Sequence, residues 1–142
     1  MIELFFSGDV LLQQKTYLPK EISIAIVESD YSICNFEAPI PSLGAKKSIK
    51  AGPNLSQGVS AVKELKKMGF NIITLANNHI IDYGLESIKN TCKVIEDLGM
   101  TSTGFYFDSK EIKALRLTKN NIKVSLISCN SDFESPQIFE ER

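Results

Sequence analysis

The sequence predicts an α/β fold. Short apolar runs alternate with amphipathic segments along the chain, as expected where strands and covering helices succeed one another. Two of the amphipathic segments stop at a glycine, Gly69 and Gly99, the residue that most easily takes the left-handed conformation closing a helix. The chain has 142 residues, 43% of them hydrophobic. That suits one domain with one core.

Ile2 to Ser7 read as a first strand that ends at Gly8-Asp9. Ile22 to Val27 alternates strictly, as a strand does. Yet Ile22, Ala25, Ile26 and Ser29 share a helical face, and Pro19 suits a helix start. A strand so close behind, Tyr31 to Phe36, favours the helix. Residues 37–54 read as a loop, with Pro39, Pro41, Gly44, Gly52 and Pro53, and with Lys46, Lys47 and Lys50 as a solvated basic patch. Leu55, Val59, Val62 and Leu65 recur at helical spacing up to Gly69. Phe70 to Ala76 reads as a buried strand, and Leu85, Ile88, Cys92, Ile95 and Leu98 as the apolar face of the next helix. Lys113 to Thr118 and Ile122 to Cys129 read as strands joined by a turn at Lys119-Asn120-Asn121. Residues 131–142 are polar and predict no element, and the chain has no internal repeat.

Sixteen basic residues against 17 acidic ones leave a net charge of -1. A nucleic-acid module held by bulk electrostatics is not expected from that balance. The first apolar run is short and carries an acid, Glu3, so it is no secretory leader. No apolar run approaches the ~20 residues that span a bilayer. The chain therefore reads as cytoplasmic, without a membrane segment. Cys34, Cys92 and Cys129 are odd in number and widely spaced. They predict buried thiols in a reducing compartment rather than a disulfide framework or a thiolate zinc site.

The chemistry gathers at predicted strand ends. The first strand ends in Gly8-Asp9, the second in Asn35-Phe36-Glu37, the third in Asn77-Asn78-His79. Ligands of α/β sheets bind outside the carboxyl ends of the strands, where loops converge. Asp9, Glu37, Asn78 and His79 brought to one point form an oxygen and nitrogen set suited to Mn, Fe, Zn or Mg. Each also has a plain structural reading. Asp9 suits a turn, Glu37 an exposed loop acid, Asn77-Asn78 a left-handed turn pair, and a lone histidine a structural role. Asp82, just ahead of a helix, suits an N-cap. Other site types are excluded. There is no GxGxxG, no GxxxxGK[ST] and no GxSxG, and the single histidine leaves little for a nucleophilic triad.

Three segments in order carry a resemblance: Gly8-Asp9-Val10-Leu11-Leu12, Asn35-Phe36-Glu37-Ala38-Pro39-Ile40, and the run Leu75-Ala76-Asn77-Asn78-His79-Ile80-Ile81-Asp82-Tyr83-Gly84. Together they resemble the CapA-type family of bacterial poly-gamma-glutamate capsule biosynthesis, itself related to calcineurin-like metallophosphoesterases. Lys50-Ala51-Gly52-Pro53 and the Gly104 segment resemble it as well. The resemblance implies a metallophosphatase-like sandwich of β-sheets flanked by helices, with a dinuclear divalent-metal site at the strand ends. On it Asp9 is the first-strand metal ligand, Glu37 the acid that bridges two metals, Asn78 the amide ligand, and His79 the catalytic histidine facing the phosphate or leaving group. Implied partners are the capsule polymer or other capsule-assembly proteins.

Against that pattern, Leu11 stands where the phosphoesterases carry a histidine two residues after the first Asp. The later His-Trp-Gly and Gly-His-His-Pro-His type segments are also absent. The expectation is therefore that residues 1–130 form the N-terminal portion of such a domain, apparently truncated, with 131–142 as a tail and the metal site incomplete. The last strand, Ile122 to Cys129, is expected to leave an exposed edge open to self-association. Three functions remain in view: metal-dependent hydrolysis of a phosphoester or polymer amide bond, non-catalytic polymer handling or assembly, and an inactive fragment.

Overall fold

The computed structural model describes residues 1–14, 16–107 and 113–130. Its elements run β1 (Leu4–Val10), α1 (Lys20–Glu28), β2 (Tyr31–Phe36), α2 (Val59–Met68), β3 (Ile72–Thr74), α3 (Leu85–Asp97), β4 (Thr101–Thr103), β5 (Leu115–Lys119) and β6 (Ile122–Leu126). The first four strands form a parallel sheet in the order β1-β2-β3-β4, and β5 and β6 form a separate antiparallel hairpin. The α/β class is thus as the sequence predicts, and the layout is consistent with a metallophosphatase-like fold. The tail expected at 131–142 lies outside the described residues.

Topology dictates the layers. Each parallel crossover is strongly biased to the right hand. When strands follow one another across the sheet without reversal, that bias sends every connecting helix to the same face. The packing agrees: Ile26 of α1, Val62 and Leu65 of α2, and Ile88 and Ile95 of α3 share one core with Cys34, Phe36 and Ile73 of the sheet. Side chains alternate along a strand, so Ile33 and Ile72 point the opposite way. There Leu117 of the hairpin covers them, with Leu4, Tyr31, Leu115, Val124 and Leu126 around it. Helices on one face and a β layer on the other are the start of a sandwich.

The ambiguous segment after Pro19 is a helix, as the sequence favours. Its N-terminus has no side-chain cap. The helix that follows the loop starts at Val59, later than the apolar spacing suggests, because the backbone is still extended at Gly58, with φ -102 and ψ 168. It closes at Gly69 with φ 104, whose N–H reaches Lys66 O and Leu65 O. A β-carbon there would press on Ile26 and Val27 of α1 at 3.2 Å, so glycine also permits the α1–α2 approach. The sequence gives no sign of β4. Thr-Ser-Thr has no apolar signature, and only its register against Ile72–Thr74 makes it a strand. Its exit turns at Gly104, φ +91, where a β-carbon would sit 3.0 Å from the Ala76 N. Asn120 and Asn121 turn the hairpin with φ 49 and 65, the conformation that two-residue hairpin loops require.

The buried-thiol expectation holds for Cys34 alone, whose thiol burial pushes up to about 12. Cys92 is half-buried, and Cys129 is exposed because β6 ends at Leu126, short of the predicted strand. Among the described residues no helix is long and apolar enough to cross a membrane.

Candidate functional site

Three parallel strands deliver polar side chains to one end of the sheet, and the register of β1 decides which of them meet. Leu4, Phe5 and Phe6 pair with Tyr31, Ser32 and Ile33, but Asp9 pairs with Asn35, so β1 carries one extra residue between Phe6 and Asp9. Such bulges re-aim side chains. This one puts Asp9 beside Asn35, on the same sheet face, with Val10 turned into the helix-side core. Without it Asp9 would stand opposite Phe36.

Asn35 then joins the strand ends. Its Nδ2 donates to Asp9 Oδ1 at 2.6 Å and lies 3.4 Å from Glu37 Oε2. Its Oδ1 accepts from Thr74 Oγ1 and from Asn77 Nδ2, both at 3.2 Å. Asn77, nearly buried, also donates to Phe36 O at 2.9 Å, and its own Oδ1 takes the His79 backbone N–H at 3.1 Å. A chain of amides thus ties Asp9 and Glu37 to the turn that carries His79. The Glu37 carboxyl sits above its usual range, first because burial disfavours its charge and then because Asp9 lies close. His79 pulls the other way.

The His79 side is built around Asp82. Its carboxylate is wholly shielded from solvent. One oxygen takes His79 Nδ1 at 2.8 Å and the Leu55 N–H at 2.7 Å; the other pairs with Lys50. Lys50 Nζ also lies 3.2 Å from His79 Nδ1. Asp82 and Lys50 both differ from their sequence expectations. Asp82 caps no helix, since Gly84 holds the N-cap position of α3 and no side chain caps it; a buried carboxylate needs charged and N–H partners, and the 50–55 loop supplies them through Lys50 and the Leu55 N–H while the turn adds the His79 ring. Lys50 is not part of a solvated patch. Lys46 and Lys47 are exposed, but Lys50 folds back to neutralise Asp82.

Of the four residues singled out in the sequence, the structure therefore gathers Asp9, Glu37 and His79 into one electrostatic neighbourhood. Asn78 is exposed beside them. The Asn77-Asn78 pair is not left-handed, for Asn120 and Asn121 are the non-glycine residues with positive φ among those described. Four further residues of the site, Asn35, Asn77, Lys50 and Asp82, carry no sequence role in ligand binding. The available signal was a polar residue inside an apolar stretch, Asn35 after Ile33-Cys34 and Asp82 after Ile80-Ile81. A fifth, Gln57, fixes the exit of β1: it accepts from the Leu12 N–H at 2.7 Å and donates to Val10 O at 3.0 Å. Among the described residues, no three His, Cys, Asp or Glu side chains converge closely enough to cage a metal ion.

A one-sided α/β sheet with a β layer on its other face is consistent with a metallophosphatase-like fold. Comparison with known proteins narrows this. The family model "Bacterial capsule synthesis protein PGA_cap" matches residues 3–141, and the chain belongs to that family. It is 31% identical over 120 residues to the capsule biosynthesis protein CapA of Bacillus anthracis, covering 82% of this chain and 29% of that protein. It is 28% identical over 101 residues to the PGA biosynthesis protein CapA of Bacillus subtilis strain 168, covering 70% of this chain and 27% of that one. The chain thus spans less than a third of the length of these relatives.

Proposed function

We propose that the chain serves capsule biosynthesis, as the names of its CapA relatives say of them, and that its strand-end cluster is part of a divalent-metal site. The observation that carries this is the Asp9–Glu37 pair. Two carboxylates are held side by side by one amide, and the second is pushed toward its protonated form by burial and by the first. Apart from His79, nothing described beside Glu37 offsets that charge, and a cation would. Oxygen donors of this kind suit Mn, Mg, Zn or Fe. The donor set fits the group in part. Asp9 and Glu37 would hold it, with the Asn78 amide available from the next loop.

The reaction class of this reading is hydrolysis of a phosphoester or of an amide bond in the polymer. A bound cation supplies Lewis acidity and a more acidic water. The residues of the chain do the rest. Asp82 holds the His79 ring at Nδ1, which leaves Nε2 to hand a proton to a leaving oxygen. Lys50 balances the Asp82 charge, so that a buried carboxylate does not stand unpaired. Partners of this reading are the capsule polymer and proteins that assemble it, together with a second copy of the chain at an open strand edge. If the scaffold handles polymer without chemistry, cation binding remains and no hydrolysis accompanies it, whether or not His79 is replaced.

Calorimetric titration with Mn²⁺ or Zn²⁺ tests the site. We expect saturable binding that weakens roughly tenfold or more in Asp9→Ala, at least the range seen when residues supporting metal ligands are removed. Equal binding by wild type and Asp9→Ala would remove the assignment.

A further inference from the structure

We propose that Asn35 is a positioning residue that sets the distance and orientation of Asp9 and Glu37 for cation binding. The inference rests on the metal-site reading above and goes beyond it in naming a residue that is not itself a ligand. Two carboxylates on adjacent strand ends repel each other and would splay toward solvent. The Asn35 amide prevents this by offering its NH₂ group to both, 2.6 Å from Asp9 Oδ1 and 3.4 Å from Glu37 Oε2. An amide has two ends, and a free one would rotate. Asn35 does not, because its oxygen is held by Thr74 Oγ1 and by Asn77 Nδ2, each at 3.2 Å. Asn77 is itself fixed on the Phe36 carbonyl at 2.9 Å.

The donor face of Asn35 is therefore aimed at the acids by the side chains of Thr74 and Asn77. That is how outer groups orient carboxylate ligands in metal sites. Register makes the arrangement possible. The β1 bulge sets Asp9 opposite Asn35, and Thr74 is the Asn35 partner on the other side. Three neighbouring strands place acid, amide and hydroxyl in one row on one face.

The test compares wild type with Asn35→Ala and Thr74→Val in the metal-free chain and under Mn²⁺ or Zn²⁺ titration. In the metal-free chain, the Asn35 side-chain NH₂ signals in an ¹H–¹⁵N spectrum should move in both Asp9→Asn and Glu37→Gln. Cation affinity should fall roughly 10- to 100-fold in Asn35→Ala. The fall should be smaller, in the same direction, in Thr74→Val, which keeps every acid and the amide. Circular dichroism establishes that each variant is folded; should Asn35→Ala not fold, Thr74→Val and the NH₂ signals decide alone. Unmoved NH₂ signals would overturn the proposal, as would full affinity in a folded Asn35→Ala or, failing that, in Thr74→Val. Asp9→Ala separates the two claims. If it abolishes binding while Asn35→Ala does not, the site stands and the positioning role falls. If wild type binds no cation, both fall.

Discussion

Glu37 shows what the strand-end site costs the fold. Burial and the neighbouring Asp9 raise its carboxyl above the ordinary range. A carboxyl raised in the folded state binds protons more tightly there than in the unfolded chain. Its favourable contribution is whole below the unfolded carboxylate range and is lost as pH rises through the folded value. At neutral pH its charge therefore works against stability. Metal-free Glu37→Gln is expected to melt above wild type at neutral pH, and the gap should close as pH falls toward the carboxylate range. An unchanged or lower melting temperature at neutral pH would contradict this. At this scale the sequence is informative where a residue's position alone matters. Asp9, Glu37 and His79 stand at the ends of apolar runs, and that suffices to find them. Asn35 and Asp82 show in the sequence only as polar residues inside apolar stretches, and the role of Lys50 is visible only once the chain is folded, since it lies 32 residues from the carboxylate it neutralises.

Among the elements, the hairpin β5–β6 forms a sheet of its own, separate from the four parallel strands. The Tyr31 hydroxyl donates to Thr118 O at 3.0 Å and accepts the Thr118 N–H at 3.2 Å, standing in for a neighbouring strand. Lys119 pairs with Asp30, whose carboxyl is held below its usual range chiefly by that contact. Tyr31→Phe should cost about 0.5–1.5 kcal/mol. Amide exchange should then quicken in residues 115–126 more than in β2 and β3. Uniform exchange across both sheets would contradict the clamp.

Among the described residues β6 pairs only with β5. In a two-residue hairpin closed by Lys119 and Ile122, the Ser125 N–H points to the open side. Ser125→Pro should reduce any concentration-dependent association seen by sedimentation, since proline removes that donor without breaking the hairpin. Association that is equal in the variant would place it elsewhere. The hairpin and its Asn-Asn turn are legible in the sequence because turn chemistry is local. The β1 bulge and β4 are not, because a register exists only between strands.

At the scale of the whole molecule, strand order is what makes a site out of dispersed residues. Strands that advance across the sheet without reversal send the helices to one face and leave the other for the hairpin. Their carboxyl ends then share one rim. The alternation of apolar runs and amphipathic segments implies the α/β class but not the strand order, and the three strand-end segments point to the rim. The sequence does not show how closely the acids approach, since that depends on the extra residue in β1 and on the amide between them. The account predicts that the instability of the acid pair is the counterpart of cation binding. The most direct test is the melting temperature of wild type and Glu37→Gln with and without Mn²⁺. The prediction is a reversal: Glu37→Gln more stable than wild type without the ion, and less stable than wild type at saturating ion. A stability order that stays the same in both conditions would contradict the claim that Asp9 and Glu37 are placed together for a cation.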